Sequence, residues 1–551
     1  MKLKTNPQSS ASGGVRKLIF VFAAFISLAL AGRVSATTFN VNTFSDTHAV
    51  TPSAGTGLDS TGKISLRSAL EAVESVGGTQ TVNLPAGTYN LSLGTITFGD
   101  VAQNLTITGA SAATTIVNMT TTAQNRIFLI GTTGTLPNVN TSISNVQFTG
   151  GKLTGDNYGG GAIIAGGPSN SLTLTNCIFQ NNTIAAAVAG APEGGAVRYN
   201  GGGSLTITGC VFNNNSNPLS AGGAVSYFFE NLVGIGNGVV TITNSTFTNN
   251  SVTATGATGG ALDIAAQGRI TAGVTFTVSV LRNTFSGNSA SGASGSGGAI
   301  SVTNSFDVGN TAQFNDNRIF GNTSTVAPSA MAVAGGSQGN VDATDNWWGL
   351  NSGPGGAAAK LGPGGGTLSL GTWLQLRHSA SPTTIVTGGT STLTADILGR
   401  NSGGPISAAT LNGMPAFPAT ATTIFSNAVR GTLSSASTQF TNGQATATFT
   451  GTSPGGLGGA DAAVDGQSAI NAPITVNQPA SITSAASATF TTGTNGSFQL
   501  AASGFPTSFT FTNTGAGLPG GVTLSAGGLL SGTPNAGTGG TYNLTFQVSN
   551  G

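Results

Sequence analysis

Charge is nearly missing from this chain: 17 basic and 16 acidic residues make up 6% of 551, and the net charge is +1. That balance leaves no basic footprint for nucleic acid and no polybasic patch for an anionic membrane. Histidine occurs only at His48 and His378, and no lysine lies between Lys152 and Lys360. Cysteine occurs only at Cys177 and Cys210, too few for a disulfide scaffold or a thiolate metal site. Long hydrophobic runs are missing too: the apolar stretch Leu18 to Ala31 is 14 residues, short of the ~20 that a spanning helix needs. Lys2, Lys4, Arg16 and Lys17 precede that run and Val34-Ser35-Ala36 follows it, so residues 1–36 read as a cleaved export signal with no membrane span in the mature chain.

What the chain has is glycine, 86 residues, and a hydrophobic fraction of 38% that alternates with Thr, Ser and Asn at period two. Such alternation buries half of each strand and argues against disorder. A phrase then recurs: Leu172-Thr-Leu-Thr-Asn-Cys-Ile-Phe179, Leu205-Thr-Ile-Thr-Gly-Cys-Val-Phe212, Val240-Thr-Ile-Thr-Asn-Ser-Thr-Phe247 and Val278-Ser-Val-Leu-Arg-Asn-Thr-Phe285. The closing Phe positions 148, 179, 212, 247, 285 and 320 step by 31, 33, 35, 38 and 35. A near-constant step with variable insertions predicts a solenoid whose coils stack while their loops drift. Asn182, Asn215, Asn250 and Asn288, three places after each Phe, are placed to bond amide to amide between coils. Cys177 and Cys210 fall in one stacked column, either as a disulfide or as buried thiols.

Each later coil also carries Gly-Gly-Ala and an aliphatic residue, as in Gly194-Gly195-Ala196-Val197 and Gly222-Gly223-Ala224-Val225. Paired glycines turn a corner and approach the neighbouring coil closely. Upstream, Ser65 is an N-cap for a helix over 66–74 whose apolar positions 66, 69, 70 and 73 share a face, a cover for the open end of the stack. Within it Arg67 is spaced to pair with Glu71.

The Gly-Gly-Ala-aliphatic motif with Phe-x-x-Asn resembles the repeats of the chlamydial polymorphic outer membrane protein family, and Phe320-Gly-Asn322 departs from it by one position. This implies a right-handed parallel β-helix of the pectin-lyase-like kind in an exported, adhesin-type protein at the bacterial surface or outer membrane. Ile64-Ser-Leu-Arg-Ser-Ala-Leu70 is similar to the CSLREA segment of surface proteins, with Ile64 in place of the cysteine, and Asp345-Asn-Trp-Trp-Gly349 to the segment that closes such helices. Residues 373–477 resemble a bacterial immunoglobulin-like domain, and residues 478–551, with Gly504-Phe505-Pro506 and Leu530-Ser-Gly-Thr-Pro534, a further immunoglobulin domain one strand short. The expected fold class is therefore all-β: signal 1–36, cap and first strands 37–98, parallel β-helix 99–349, Gly/Pro-rich linker 350–372, then two sandwiches.

Chemistry is thinly represented. The enzyme alternative is a carbohydrate-active β-helix, a glycosidase or a polysaccharide lyase; a lyase needs a basic side chain as its base, and between Lys152 and Lys360 the arginines Arg198, Arg269, Arg282 and Arg318 share no repeat phase. Asp316 and Asp345 do share one, with Asp342 nearby, and two carboxyls on adjacent coils are the minimum for a glycosidase; capping of turns explains them equally. Asp396, Asp461 and Asp465 are candidates for a calcium site with loop carbonyls, or for turn residues. Tyr199, Tyr227 and Phe228 are candidates for a strip that stacks on sugars or proteins. The sequence thus predicts no catalytic, cofactor or metal residues, with Asp316 and Asp345 held for the enzyme alternative. Expected partners are glycans or surface proteins, with further immunoglobulin-like repeats or a surface anchor beyond this chain.

Overall fold

The structure is a computed structural model describing residues 36–551 except 121–124, 132–138, 155–157, 186–189, 231–235, 268–273, 305–310, 337–338, 364, 418–423 and 435–438. The proposed signal segment and Arg269 fall outside the described residues.

From Thr37 to Ser369 the strands stack as a parallel solenoid with sheets of eleven, nine, eight and six strands. Register is unbroken from coil to coil: Leu172 pairs with Leu205, Leu205 with Val240 and Val240 with Val278. Alternation at period two sends those residues inward, where they are fully buried, and sends the intervening Thr173, Thr206, Thr241 and Ser279 outward. The Gly-Gly-Ala motif makes the corner expected of it. Gly194 has φ +74°, and a Cβ on Gly195 would lie 2.1 Å from the Gly223 carbonyl oxygen, so only glycine admits the next coil.

Phe148, Phe179, Phe212, Phe247 and Phe285 form one internal stack, with ring centroids 4.7 to 5.0 Å apart and nearly parallel planes. Phe320 corrects the sequence reading. Ile319 pairs with Phe285 and takes the core position, while Phe320 pairs with Ser286 and turns outward. Counted from Ile319, Asn322 stands at the usual third place, which removes the apparent irregularity in the motif.

The helix Leu66–Val76 begins with Ser65 and Ser68 in a reciprocal capping box and buries Leu66, Ala69, Leu70 and Val73. Arg67 does not pair with Glu71. It is 4% exposed and reaches Asp46 at 2.6 Å, while Glu71 faces His48 at 2.5 Å, so both side chains staple the preceding loop onto the helix rather than each other.

The glycine-rich segment expected to be a linker belongs to the solenoid. Ala358–Lys360 pairs with Met331–Val333, and Leu368–Ser369 pairs with Asn340–Asp342, so residues 350–372 supply the last, short strands. A four-stranded sheet (Leu374–Ser381, Thr390–Arg400, Gln444–Gly451, Gly431–Leu433) then packs on a second sheet built from Thr384–Val386, Ile470–Ile482, Gly456–Ala462 and Phe425–Val429. Their shared core is Leu393, Ile397, Phe449, Ala460, Ile474 and neighbours. Strand Ile470–Ile482 runs on past residue 477 to pair with Ala502–Phe505, so one strand is common to both sandwich regions. The last region holds Gly496–Gln499, Leu529–Gly532 and Val522–Leu524 in one sheet and Thr510–Asn513 with Phe546–Ser549 in another. Among the described residues no helix is long and apolar enough to cross a membrane.

Candidate functional site

Two columns of buried polar side chains run through the solenoid. In the first, each asparagine amide oxygen accepts from the backbone N–H and the side-chain amide of the coil before: Asn215 Oδ1 from Asn182 (3.0 and 3.0 Å), Asn250 from Asn215 (3.0 and 3.0 Å), Asn288 from Asn250 (3.0 and 2.9 Å) and Asn322 from Asn288 (3.0 and 2.9 Å). Each amide also donates to a carbonyl, as Asn215 does to Phe179 O at 2.9 Å. All polar capacity is used inside the stack, which leaves this ladder structural.

The second column is legible in the sequence only at Cys177 and Cys210, because its residue types change beyond them. Cys177 N–H donates to Cys210 Sγ (3.3 Å), Cys210 N–H to Ser245 Oγ (3.0 Å), Ser245 N–H to Asn283 Oδ1 (2.9 Å), Asn283 to Asn317 and Asn317 to Asn346 (2.8 Å each). The only signal was positional, two residues before each core residue. Both cysteines are buried free thiols here. Burial pushes the Cys210 thiol well up, whereas the bond to Cys210 holds Cys177 below its ordinary value.

Tyr199 and Tyr227 are not a ligand strip. Both are fully buried, stacked at 5.1 Å, with hydroxyls donating to the backbone oxygens of Asn170 and Gly201; the period-two alternation that buries Val197 and Val225 buries them too. Phe228 does turn outward between the buried Tyr227 and Phe229, partly exposed, with the Arg198 guanidinium 5.1 Å from its ring centre.

Beside Phe228 lies an ionisable cluster on the outer side of the nine-stranded sheet. Arg198 Nη1 donates to Glu193 Oε2 at 2.8 Å and Ser226 Oγ to the same oxygen at 2.9 Å. Asp263, fully buried one strand further along, accepts from Ser301 and Thr303 through Oδ1, while its Oδ2 has no hydrogen-bond partner among the described residues. Burial and then the Glu193 charge push its carboxyl up to about 8, against the pull of Ser301, Thr303 and Arg198.

Three further acids, Asp316, Asp345 and Asp465, gather where the solenoid meets the first sandwich. Asp345 receives Arg400 at both oxygens, Nε to Oδ1 at 3.0 Å and Nη2 to Oδ2 at 2.7 Å. Burial raises Asp345 but hydrogen bonds from Arg400 and Thr372 outweigh it and hold the carboxyl low. Asp316 is pushed up to about 6 by burial and by the Asp345 charge, with Arg282 and Arg400 opposing. Asp465 is bound by Arg318 (Nη2 to Oδ1 2.5 Å, Nε to Oδ2 3.0 Å) and by the Trp347 indole N–H at 2.6 Å. The Arg318 guanidinium lies between the rings of Phe320 and Phe417, 4.0 and 4.2 Å from their centres.

This geometry disperses the calcium candidates. Asp465 faces the solenoid, Asp396 binds Arg377 at 2.8 Å, and Asp461 binds Asn427 and Asn471. Each carboxylate already has a partner, and among the described residues no three His, Cys, Asp or Glu side chains are grouped to hold a metal ion.

Comparison with known proteins agrees with the C-terminal part of this architecture. Residues 472–551 match the family described as Putative Ig domain. No curated protein gives a significant match. Among solved structures, the adhesin InvE of Yersinia pseudotuberculosis matches at 19% identity with a TM-score of 0.16, covering 29% of this chain and 52% of that one. The chain thus spans about half the length of that structure, and its C-terminal region is an immunoglobulin-like domain joined to a parallel β-solenoid.

Proposed function

We propose that this chain is an exported, non-enzymatic surface protein that acts as a stiff, adhesin-like stalk. Its solenoid meets neutral glycans or protein surfaces, and its sandwiches set their distance from an anchor beyond this chain. The observation that carries this is the use made of the ionisable side chains. Asp345 and Asp465, the acids nearest the end of the solenoid, are consumed in clamping the first sandwich, and the asparagine amides are consumed in stacking. What faces outward is a long sequence of weak neutral contacts, effective when many copies are arrayed. Resemblance of the repeats to the chlamydial outer membrane family supports the same reading. Beads carrying residues 36–551 should bind a glycan and cell-surface protein array, and beads carrying residues 373–551 should not. Equal binding by the two would overturn the assignment to the solenoid.

The opposite displacements of Asp316 and Asp345 favour one second reading, hydrolysis of a glycosidic bond with Asp316 as acid. It requires Arg400 to release Asp345. New reducing ends from a neutral polysaccharide, lost in Asp345→Asn, would establish it and displace the first reading.

A further inference from the structure

The outward face of the eleven-stranded sheet is a two-dimensional array of small hydroxyl side chains. Thr106, Ser142, Thr173, Thr206 and Thr241 succeed one another in a single column across five coils. The residue two places on from each is again Ser or Thr, giving a second column alongside. Within a column the step is the strand spacing, about 4.8 Å, and between columns it is a two-residue rise, about 6.7 Å. Five coils with no register shift carry this pattern over about 19 Å.

We infer that this face binds the surface of ice, with its hydroxyl and methyl groups matching an ordered lattice of water.

Three observations select that partner. From Thr79 to Asn315 no outward side chain of this sheet is charged, which matches a neutral partner and gives a polyanion nothing to hold. None of them is aromatic either, so the face lacks the flat rings on which sugars stack. Its two repeat distances both lie close to the spacing of oxygens on the surfaces of hexagonal ice. A polysaccharide chain in solution has no such fixed repeat in two directions.

Chemistry and stiffness point the same way. Each threonine offers one hydroxyl and one methyl in a direction fixed by its β-branched Cβ, and every strand is held by neighbours on both sides. The side chains of Thr106, Thr173, Thr206 and Thr241 make no hydrogen bond to another described residue, so their hydroxyls are left for water. In the second column Thr208 and Thr243 share a hydrogen bond at 3.3 Å and the Ser144 hydroxyl donates to Thr108 at 3.5 Å, so among the described residues it is the first column that offers its hydroxyls unshared. A pre-ordered array loses little freedom on contact, so many weak contacts add.

This inference is independent of the surface-stalk reading, because a chain that binds no cell can still bind ice. The experiment uses the full chain after signal removal, fluorescently labelled, with a polycrystalline ice front as the probe. The expected result is incorporation into the ice and arrest of recrystallisation. Thr206→Tyr and, separately, Thr173→Tyr lift a lattice off the array and should weaken both effects roughly tenfold or more. Gln180→Tyr, on the outer face of the eight-stranded sheet, should leave them unchanged, and equal melting temperatures show that all three variants fold. Exclusion of the folded wild-type chain from ice overturns the inference. So does full activity in both threonine variants, or binding to crystalline cellulose or chitin in place of ice.

Discussion

Arg318 in the solenoid and Asp465 in the first sandwich, 147 positions apart in the chain, form a two-point ion pair in which both side chains are at most 5% exposed. Breaking one side of such a pair strands a buried charge, which costs about 3–5 kcal/mol. Arg318→Ala also empties the space between Phe320 and Phe417. Calorimetry should show one joint transition of solenoid and first sandwich in the wild type and two separate ones in the variant.

Phe320 and Ile319 are expected to differ in kind. Ile319→Ala opens a cavity in the solenoid core and should cost about 2–4 kcal/mol. Phe320→Ala should leave solenoid melting nearly intact and loosen the first sandwich, seen as faster proteolysis between residues 349 and 373. The reverse result would restore Phe320 to the core stack.

Asn215→Ala removes the acceptor of two bonds from Asn182 and the donor to Phe179 O and Asn250. Orphaning several buried groups at once should cost about 3 kcal/mol or more. Asn214→Ala, at an exposed turn position one residue away, should cost far less; chemical denaturation of the two variants side by side is the check.

How much of this was legible in the sequence follows from what is periodic. The phenylalanine stack and the asparagine ladder repeat one residue type at one step, so both could be read from Phe179 and Asn182 onward. Of the Cys177-Cys210-Ser245-Asn283 column only the two cysteines could be read, because from Ser245 onward the position is kept while the residue type changes. Phe320 misled because aromatic identity was aligned in place of the spacing to Asn322. The glycine-rich stretch 350–372 concealed strands of two and three residues, too short for an alternation to show. The clamp on the first sandwich joins side chains that nothing local relates.

Acid should strengthen the fold around Asp263. Its folded carboxyl keeps a proton up to about 8, whereas the unfolded chain loses it near the ordinary carboxyl value of 3.8. Between those limits the unfolded state binds fewer protons, so stability falls as pH rises, and it is fully present only below the lower limit. Asp263 faces Glu193 and Arg198, and Asp263→Asn should flatten this slope and raise the melting temperature at pH 8. An unchanged pH profile of melting in that variant would assign the slope elsewhere.

The Asn215 amide answers only to the coil before and the coil after, and the same holds for every rung. A whole turn of chain can therefore be duplicated or excised without disturbing the helix at one end or the clamp at the other. Reach becomes a quantity that inheritance adjusts in increments of about 4.8 Å, while a single inserted residue inside a strand would misalign every column at once.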